Sequence, residues 1–153
     1  MTFLSPIAKD ITLVLQYIDR YEQAIEDVEP YFTLESRKVA EVCATVPRKT
    51  AQFRTYGAEL KSIASLLELR RDEIEGRRWK AYNEGNNKQL TSKDIQQYIK
   101  GDAEYVNTSE LLLEIEFLRN KINAIIDALD TLHWQLNNIV KLQIASLEQA
   151  VID

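Results

Sequence analysis

The feature that most constrains the fold is an apolar pattern that runs from Ser109 to the C-terminus without a glycine or a proline. Its apolar residues lie alternately three and four positions apart, which places them on one face of an α-helix in a heptad repeat. They are Leu111, Ile115, Leu118, Ile122, Ile125, Leu129, Leu132, Leu136 and Ile139. At 1.5 Å per residue, this pattern predicts a helix on the order of 60 Å long.

A second apolar row widens the stripe on the C-terminal helix. It consists of Leu112, Ile126, Val140 and Leu147. A chain of 153 residues cannot easily cover so wide a stripe, so the pattern favours an all-α, elongated, coiled-coil-like protein that oligomerises through this helix. We expect the contact to involve Leu118, Ile122, Ile125, Leu129, Leu132, Trp134, Leu136 and Ile139. The alternative is a compact monomeric bundle in which both rows are filled internally.

The N-terminal region predicts a second heptad helix, over residues 5–29. Ser5 suits the N-cap and Pro6 the first helical position, and Pro30 ends the pattern. Between them, apolar residues recur at the same alternating spacing from Leu4 to Val28. The whole chain has only four glycines and three prolines, a composition that favours helices over a turn-rich β fold.

The middle of the chain predicts three further helices. One begins near Thr33 and is broken or kinked at Pro47, and the next runs to about Asn83 and stops at Gly85. After a polar loop, Ser92 caps a short helix that Gly101 ends. A linker then leads to the C-terminal helix.

Charge divides the chain into three segments. Residues 1–33 form an acidic heptad helix with a net charge of −4, and residues 34–100 form a basic helical segment with 14 Lys and Arg against nine acids. Residues 101–153, which hold the oligomerisation helix, carry a net charge of −6. The asymmetry predicts that the middle segment meets an anionic partner. Equally, the basic segment could pair with the acidic ones inside one bundle.

Targeting signals and disulfide chemistry are not indicated. The single cysteine, Cys43, cannot form an intramolecular disulfide, and the N-terminus lacks the basic start and apolar run of a signal peptide. No apolar stretch has the length of a membrane span. These features predict a cytoplasmic protein without a membrane partner, located in the host cytoplasm if a phage encodes it.

Residues suited to catalysis are few. His133 is the only histidine and Cys43 lies on an apolar face, which predicts a surface and a core position respectively. Glu68, Asp72 and Glu75 share one helix face and could hold magnesium, as in all-α nucleotide pyrophosphatases, but arginines interleave with them and favour ion pairing. We therefore predict no enzyme activity, no metal and no cofactor.

The stretch RRWKAYNEG, residues 77–85, combines cations with aromatic rings. Proteins that bind single-stranded nucleic acid use a cationic track for the phosphates and rings on which bases stack. The predicted DNA-binding residues are Arg70, Arg71, Arg77, Arg78, Trp79, Lys80, Tyr82 and Lys88. A tryptophan and a tyrosine at helical spacing are also compatible with a place in the core.

The order of these features resembles the UvsY-type recombination mediator proteins of large tailed phages. A basic helix ends in a basic-aromatic run with Tyr82 and Gly85, a short insertion follows, and one long apolar helix completes the chain. Arg78 matches the second basic position of the family motif, whereas the first falls on Gly76. Trp134 fits the aromatic position of the C-terminal helix, in a resemblance that covers about residues 34–145.

The resemblance implies a recombination mediator for DNA recombination and repair. Such a protein forms a homo-oligomeric ring, a hexamer or a heptamer, and binds single-stranded DNA. It helps a RecA-like recombinase to replace the single-strand binding protein. Two alternatives remain open from the residues themselves: a non-enzymatic coiled-coil adaptor or structural protein of a phage or bacterium, and a magnesium-dependent nucleotide pyrophosphatase.

Overall fold

The computed structural model describes residues 3–33, 39–85 and 89–150, with side chains to residue 147. In this part of the chain every regular element is helical, so the predicted all-α class is confirmed. The elements are α1 (Leu4–Lys9), α2 (Leu13–Val28), a 3-10 turn (Glu29–Phe32), α3 (Val39–Gly85), α4 (Ser92–Lys100) and α5 (Ala103–Ala150).

The predicted N-terminal helix is in fact two helices. Phe3 occupies the N-cap of α1 without a side-chain cap, and Asp10 ends that helix in an extended conformation. The Asp10 carboxylate accepts hydrogen bonds from the Thr12 amide at 3.0 Å and the Thr12 hydroxyl at 2.6 Å. This local turn competes with the helical hydrogen-bond ladder, which explains why the heptad pattern continues while the helix does not. The same hydrogen bonds from Thr12 lower the pKa of Asp10 below its ordinary value of 3.8.

Of the two predicted effects of Pro47, a break or a kink, the break is wrong, because α3 continues through this residue from Val39 to Gly85. Proline within a helix removes one backbone hydrogen bond and costs about 3 kcal/mol. Val42 and Val46, one turn apart beside it, are buried against Leu132 and Leu136 of α5. Their packing offsets the loss. Gly85, the predicted C′ residue, is the last described residue of α3, and the residues that follow it lie outside the described ranges.

The starts of α4 and α5 differ from prediction by one and six residues. Thr91, not Ser92, caps α4: its hydroxyl accepts from the Asp94 amide, and the Asp94 carboxylate accepts from the Thr91 amide. The predicted linker after Gly101 belongs mostly to α5, which begins at Ala103. The hydroxyl groups of Thr108 and Ser109 donate to carbonyls four residues earlier, so this polar run stays within the helix.

The helices contribute to two compact units. The first comprises Met1–Ile18 and Glu59–Arg119, and the second Asp19–Ala58 and Asn120–Asp153. The core of the first unit is aliphatic and includes Ile7, Leu60, Leu67, Ile74, Ile95, Ile99, Ile115 and Leu118. In the second, Tyr21 and Phe53 each pack edge-on against Tyr56, with ring centroids 5.4 and 5.6 Å apart.

Candidate nucleic-acid interface

Three of the predicted DNA-binding arginines lie on α3 opposite carboxylates at the start of α5. Glu104 Oε2 accepts from Arg77 Nη2 at 2.8 Å and lies 3.7 Å from Arg78 Nη2, while its Oε1 lies 3.6 Å from Arg70 Nη2. Arg78 Nε lies 2.9 Å from Asp102 Oδ2 in an ion-pair contact that is not aligned as a hydrogen bond. We call Arg70, Arg77, Arg78, Asp102 and Glu104 the arginine–carboxylate cluster.

The cluster is positioned by the N-terminus of α5. Asp102 Oδ1 accepts from the amides of Glu104 and Tyr105 at 3.1 and 3.2 Å, which caps the helix. Its other oxygen faces Arg78. The side chain of Asp102 is only 13% exposed, whereas those of Arg70, Arg77 and Glu104 are 46, 56 and 38% exposed. Water therefore reaches the cluster around Glu104.

A pair of stacked rings lies at the C-terminal end of α3. Tyr82 and Tyr98 have ring centroids 5.6 Å apart and planes inclined by 29°. Ile95 and Ile99 are buried and hold α4 in place, and Tyr98 remains 53% exposed. A large ring exposed on a helix with a buried apolar face is available to a ligand.

The other predicted DNA-binding residues differ in exposure. Lys80 is exposed, and Arg71 and Trp79 are half-buried. Lys88 lies outside the described residues. Trp79 is thus not sealed in the core, and Arg70 pairs with Glu73 at 3.3 Å as well as with Glu104.

The predicted oligomerisation residues of α5 divide by burial. Leu118, Ile122, Leu129, Leu132 and Leu136 are buried within the chain, Ile125 and Ile139 are half-buried, and Trp134 is 65% exposed. Between Trp134 and the last described side chain, that of residue 147, the exposed large apolar side chains are Val140, Leu142, Ile144 and Leu147. We call Trp134 and these four residues the apolar end of α5. Leu142 and Leu147 lie with Ile139, Gln143 and Ser146 on one open surface of α5.

Other predicted chemistry can be located in the structure. His133 is exposed, with Nε2 3.2 Å from Asn137 Nδ2, and Cys43 packs against the buried cluster that contains Val42 and Leu132. Both positions agree with the sequence prediction. Within residues 3–33, 39–85 and 89–150, no three His, Cys, Asp or Glu side chains come together as a metal-binding group, the Glu68, Asp72 and Glu75 face included. In the same ranges no helix is apolar over a length that would cross a bilayer.

Sequence reasoning missed Tyr98, Asp102 and Glu104. The spacing of Ile95, Tyr98 and Ile99 fits one apolar helix face, and this pattern does not separate an inward ring from an exposed one. Glu104 lies 27 positions from Arg77, so no helical spacing connects them. The acidic charge of residues 101–153 was the one available signal.

Comparison with known proteins gives no match: no protein-family model, no curated protein and no solved structure matches this chain. The resemblance to the UvsY-type mediators therefore stays a prediction based on the residues given above.

Proposed function

We propose that this protein is a non-enzymatic recombination mediator that binds single-stranded DNA as a homo-oligomer. It would help a RecA-like recombinase to replace the single-strand binding protein in the cytoplasm, or in the host cytoplasm if a phage encodes it. The proposal combines the family resemblance with the arrangement at the ends of α3 and α4.

The observation that carries the proposal is the combination of the stacked Tyr82–Tyr98 pair with cations on α3. Aromatic rings bind bases of any sequence through their faces, and cations nearby bind the phosphates. Arg77 and Lys80 are exposed, and Arg78 precedes Tyr82 by one helical turn. This is the chemistry that sequence-independent binding of a single strand requires.

Self-association would multiply a weak site. The apolar end of α5 exposes five large apolar side chains, which is unusual for a monomer and typical of a protein contact. One strand that passes over several subunits is bound with an avidity that a single arginine–carboxylate cluster cannot reach. The buried residues of the heptad stripe would hold each subunit together, and the apolar end would hold the subunits to one another.

Anisotropy of a fluorescein-labelled oligothymidylate, measured at increasing salt, tests the binding step. We expect wild-type protein to bind at low salt with a log–log salt slope of about −0.7 per phosphate contact. The triple variant R77A/R78A/K80A should bind more weakly and with a shallower slope. A matched triple variant, R48A/K61A/K141A, removes the same charge from exposed positions elsewhere and should retain most of the binding. Equal binding by both triple variants would contradict the proposed site.

The mediator step needs a second assay. A RecA-like recombinase hydrolyses ATP slowly on DNA covered by single-strand binding protein, so an active mediator should shorten the lag before hydrolysis. DNA binding without this effect would leave a binding protein and remove the mediator role.

A second candidate function is favoured by the ion pairs themselves. If the carboxylates keep the arginines permanently occupied, the apolar end of α5 is the remaining interaction surface, and the protein is a helical adaptor for a protein partner. This candidate predicts that the protein does not bind oligothymidylate at any salt concentration. It also predicts that R77A/R78A/K80A forms the complex with the protein partner as well as wild type does.

A further inference from the structure

Glu104 occupies a position that three arginines surround. Its Oε2 lies 2.8 Å from Arg77 and 3.7 Å from Arg78, and its Oε1 lies 3.6 Å from Arg70. Two other carboxylates share the arginines: Glu73 contacts Arg70, and Asp102 contacts Arg78. Among the carboxylates that the structure describes, Glu104 alone contacts all three.

A carboxylate and a phosphodiester offer a guanidinium group the same chemistry. Each presents two oxygens that share a negative charge and fit the planar fork of an arginine. An arginine group that holds the one can therefore hold the other, and the two compete. The three arginines, at positions 70, 77 and 78 of α3, all come within 3.7 Å of the Glu104 carboxylate, so they converge on a space that one such anionic group fills.

The side chain of Glu104 does not cap α5. The cap of α5 is made by Asp102, and the contribution of Glu104 to that cap is its backbone amide. A glutamate in the first turn is mildly favourable with the helix dipole, which neither requires three arginine contacts nor explains them. Asp102 differs, because its carboxylate both caps α5 and faces Arg78.

We propose that Glu104 is an intramolecular substitute for a backbone phosphate, which occupies the arginines until a nucleic-acid strand displaces it. The inference rests on the proposed function and adds its regulation: Glu104 lowers the affinity of each subunit, so that stable binding needs several subunits on one strand. Exposed ion pairs are weak and exchange readily, and the exposure of Glu104 and Arg77 permits this exchange. Arg78 keeps its ion pair with Asp102, whereas the contacts of Glu104 with all three arginines are displaced.

The test compares E104Q with wild-type protein and with E110Q. Gln keeps the size of the side chain and removes its charge; Glu110 is an exposed residue of the same helix, so E110Q changes the net charge equally. We expect E104Q to bind labelled oligothymidylate roughly three- to tenfold more tightly than wild type at low salt, because competing contacts of exposed pairs are lost. E110Q should bind within about twofold of wild type. The advantage of E104Q should shrink as salt rises, since salt screens the competing carboxylate.

A double mutant separates competition from a change of fold. In an R77A background the closest arginine contact of Glu104 is already absent, so E104Q should improve binding much less than it does in wild-type protein. Helical circular dichroism of each variant verifies folding. A binding gain by E104Q equal to that by E110Q, or unchanged in the R77A background, would overturn the proposal while leaving DNA binding intact. Failure of every folded protein, wild type included, to bind would overturn both this inference and the proposed function.

Discussion

Arg78 Nε of α3 lies 2.9 Å from Oδ2 of Asp102, the residue that precedes α5. The second oxygen of the same aspartate, Oδ1, caps α5. One carboxylate thus fixes the start of a long helix and orients an arginine at the candidate interface. Because the Asp102 side chain is 13% exposed, this pair is less screened by water than the Glu104 contacts beside it. The structural ion pair of the cluster is therefore made by Asp102, and the exchangeable ones are made by Glu104.

Asp102 should contribute to stability mainly through its cap. We expect D102A to lower the free energy of unfolding by about 1–2 kcal/mol, because it loses both the cap and the pair with Arg78. D102N should lose less, since asparagine is also a good N-cap and only the charge is removed. Urea denaturation followed by circular dichroism measures both. Equal losses for the two variants would show that the cap contributes little.

Tyr98 should contribute to DNA binding and little to the fold. Y98A removes an exposed ring, and we expect a loss of about 1–3 kcal/mol in binding to oligothymidylate if a base stacks on it. Y98F keeps the ring and should bind like wild type. F117A removes an equally exposed ring from α5 and serves as the control. A parallel loss in Y98A and F117A would argue against a stacking role for Tyr98.

The two kinds of apolar residue on α5 should respond differently to truncation. Leu129 is fully buried, so L129A should cost about 2–5 kcal/mol of folding free energy at any protein concentration. Trp134 is exposed, and W134A should change the stability of the fold by little. Thermal unfolding at two protein concentrations provides the measurement. A large, concentration-dependent loss for L129A would instead indicate that the heptad stripe is the contact between subunits.

The apolar end of α5 should control assembly. The double variant L142K/L147K places two charges on it and should reduce the mass of the assembly measured by light scattering. L113K introduces the same change at a similarly exposed leucine of α5 and should leave the mass unchanged. If wild type and L142K/L147K have the same mass, the proposed contact is absent.

The capping box of α4 should be lost only in strong acid. Hydrogen bonds from the Thr91 hydroxyl and amide lower the pKa of Asp94 below its ordinary value of 3.8. A carboxyl whose folded pKa is lowered stabilises the fold above its unfolded pKa, and this stabilisation disappears as the pH falls through the folded pKa. The amide resonance of Thr91 should therefore titrate with a midpoint below 3.8 in wild type, and T91A should move the midpoint of the Asp94 carboxyl upwards. A wild-type midpoint at or above 3.8 would contradict the hydrogen bonds.

Much of the fold follows from local patterns that the sequence displays. The alternating spacing from Leu111 to Ile139 predicts the long helix α5, and Gly101 ends α4 where expected. The predicted helix boundaries were wrong where a side chain takes over a hydrogen bond that the helical backbone would otherwise make. Asp10 binds Thr12 and interrupts the predicted N-terminal helix, and Asp102 caps α5, which begins six residues before its predicted start. Such caps depend on one rotamer, which periodicity does not encode.

By itself, the sequence determined that this chain is helical, where its cations concentrate, and which residues form each apolar stripe, because these properties depend on neighbours within two turns. Only the tertiary structure decided that α3 continues through Pro47 and that Glu104 lies among three arginines. It also decided that most of the heptad stripe of α5 is buried by residues of the same chain. Burial and ion pairing between distant positions depend on which helix faces meet. That is set by the packing of all the helices together, and no single segment contains the information.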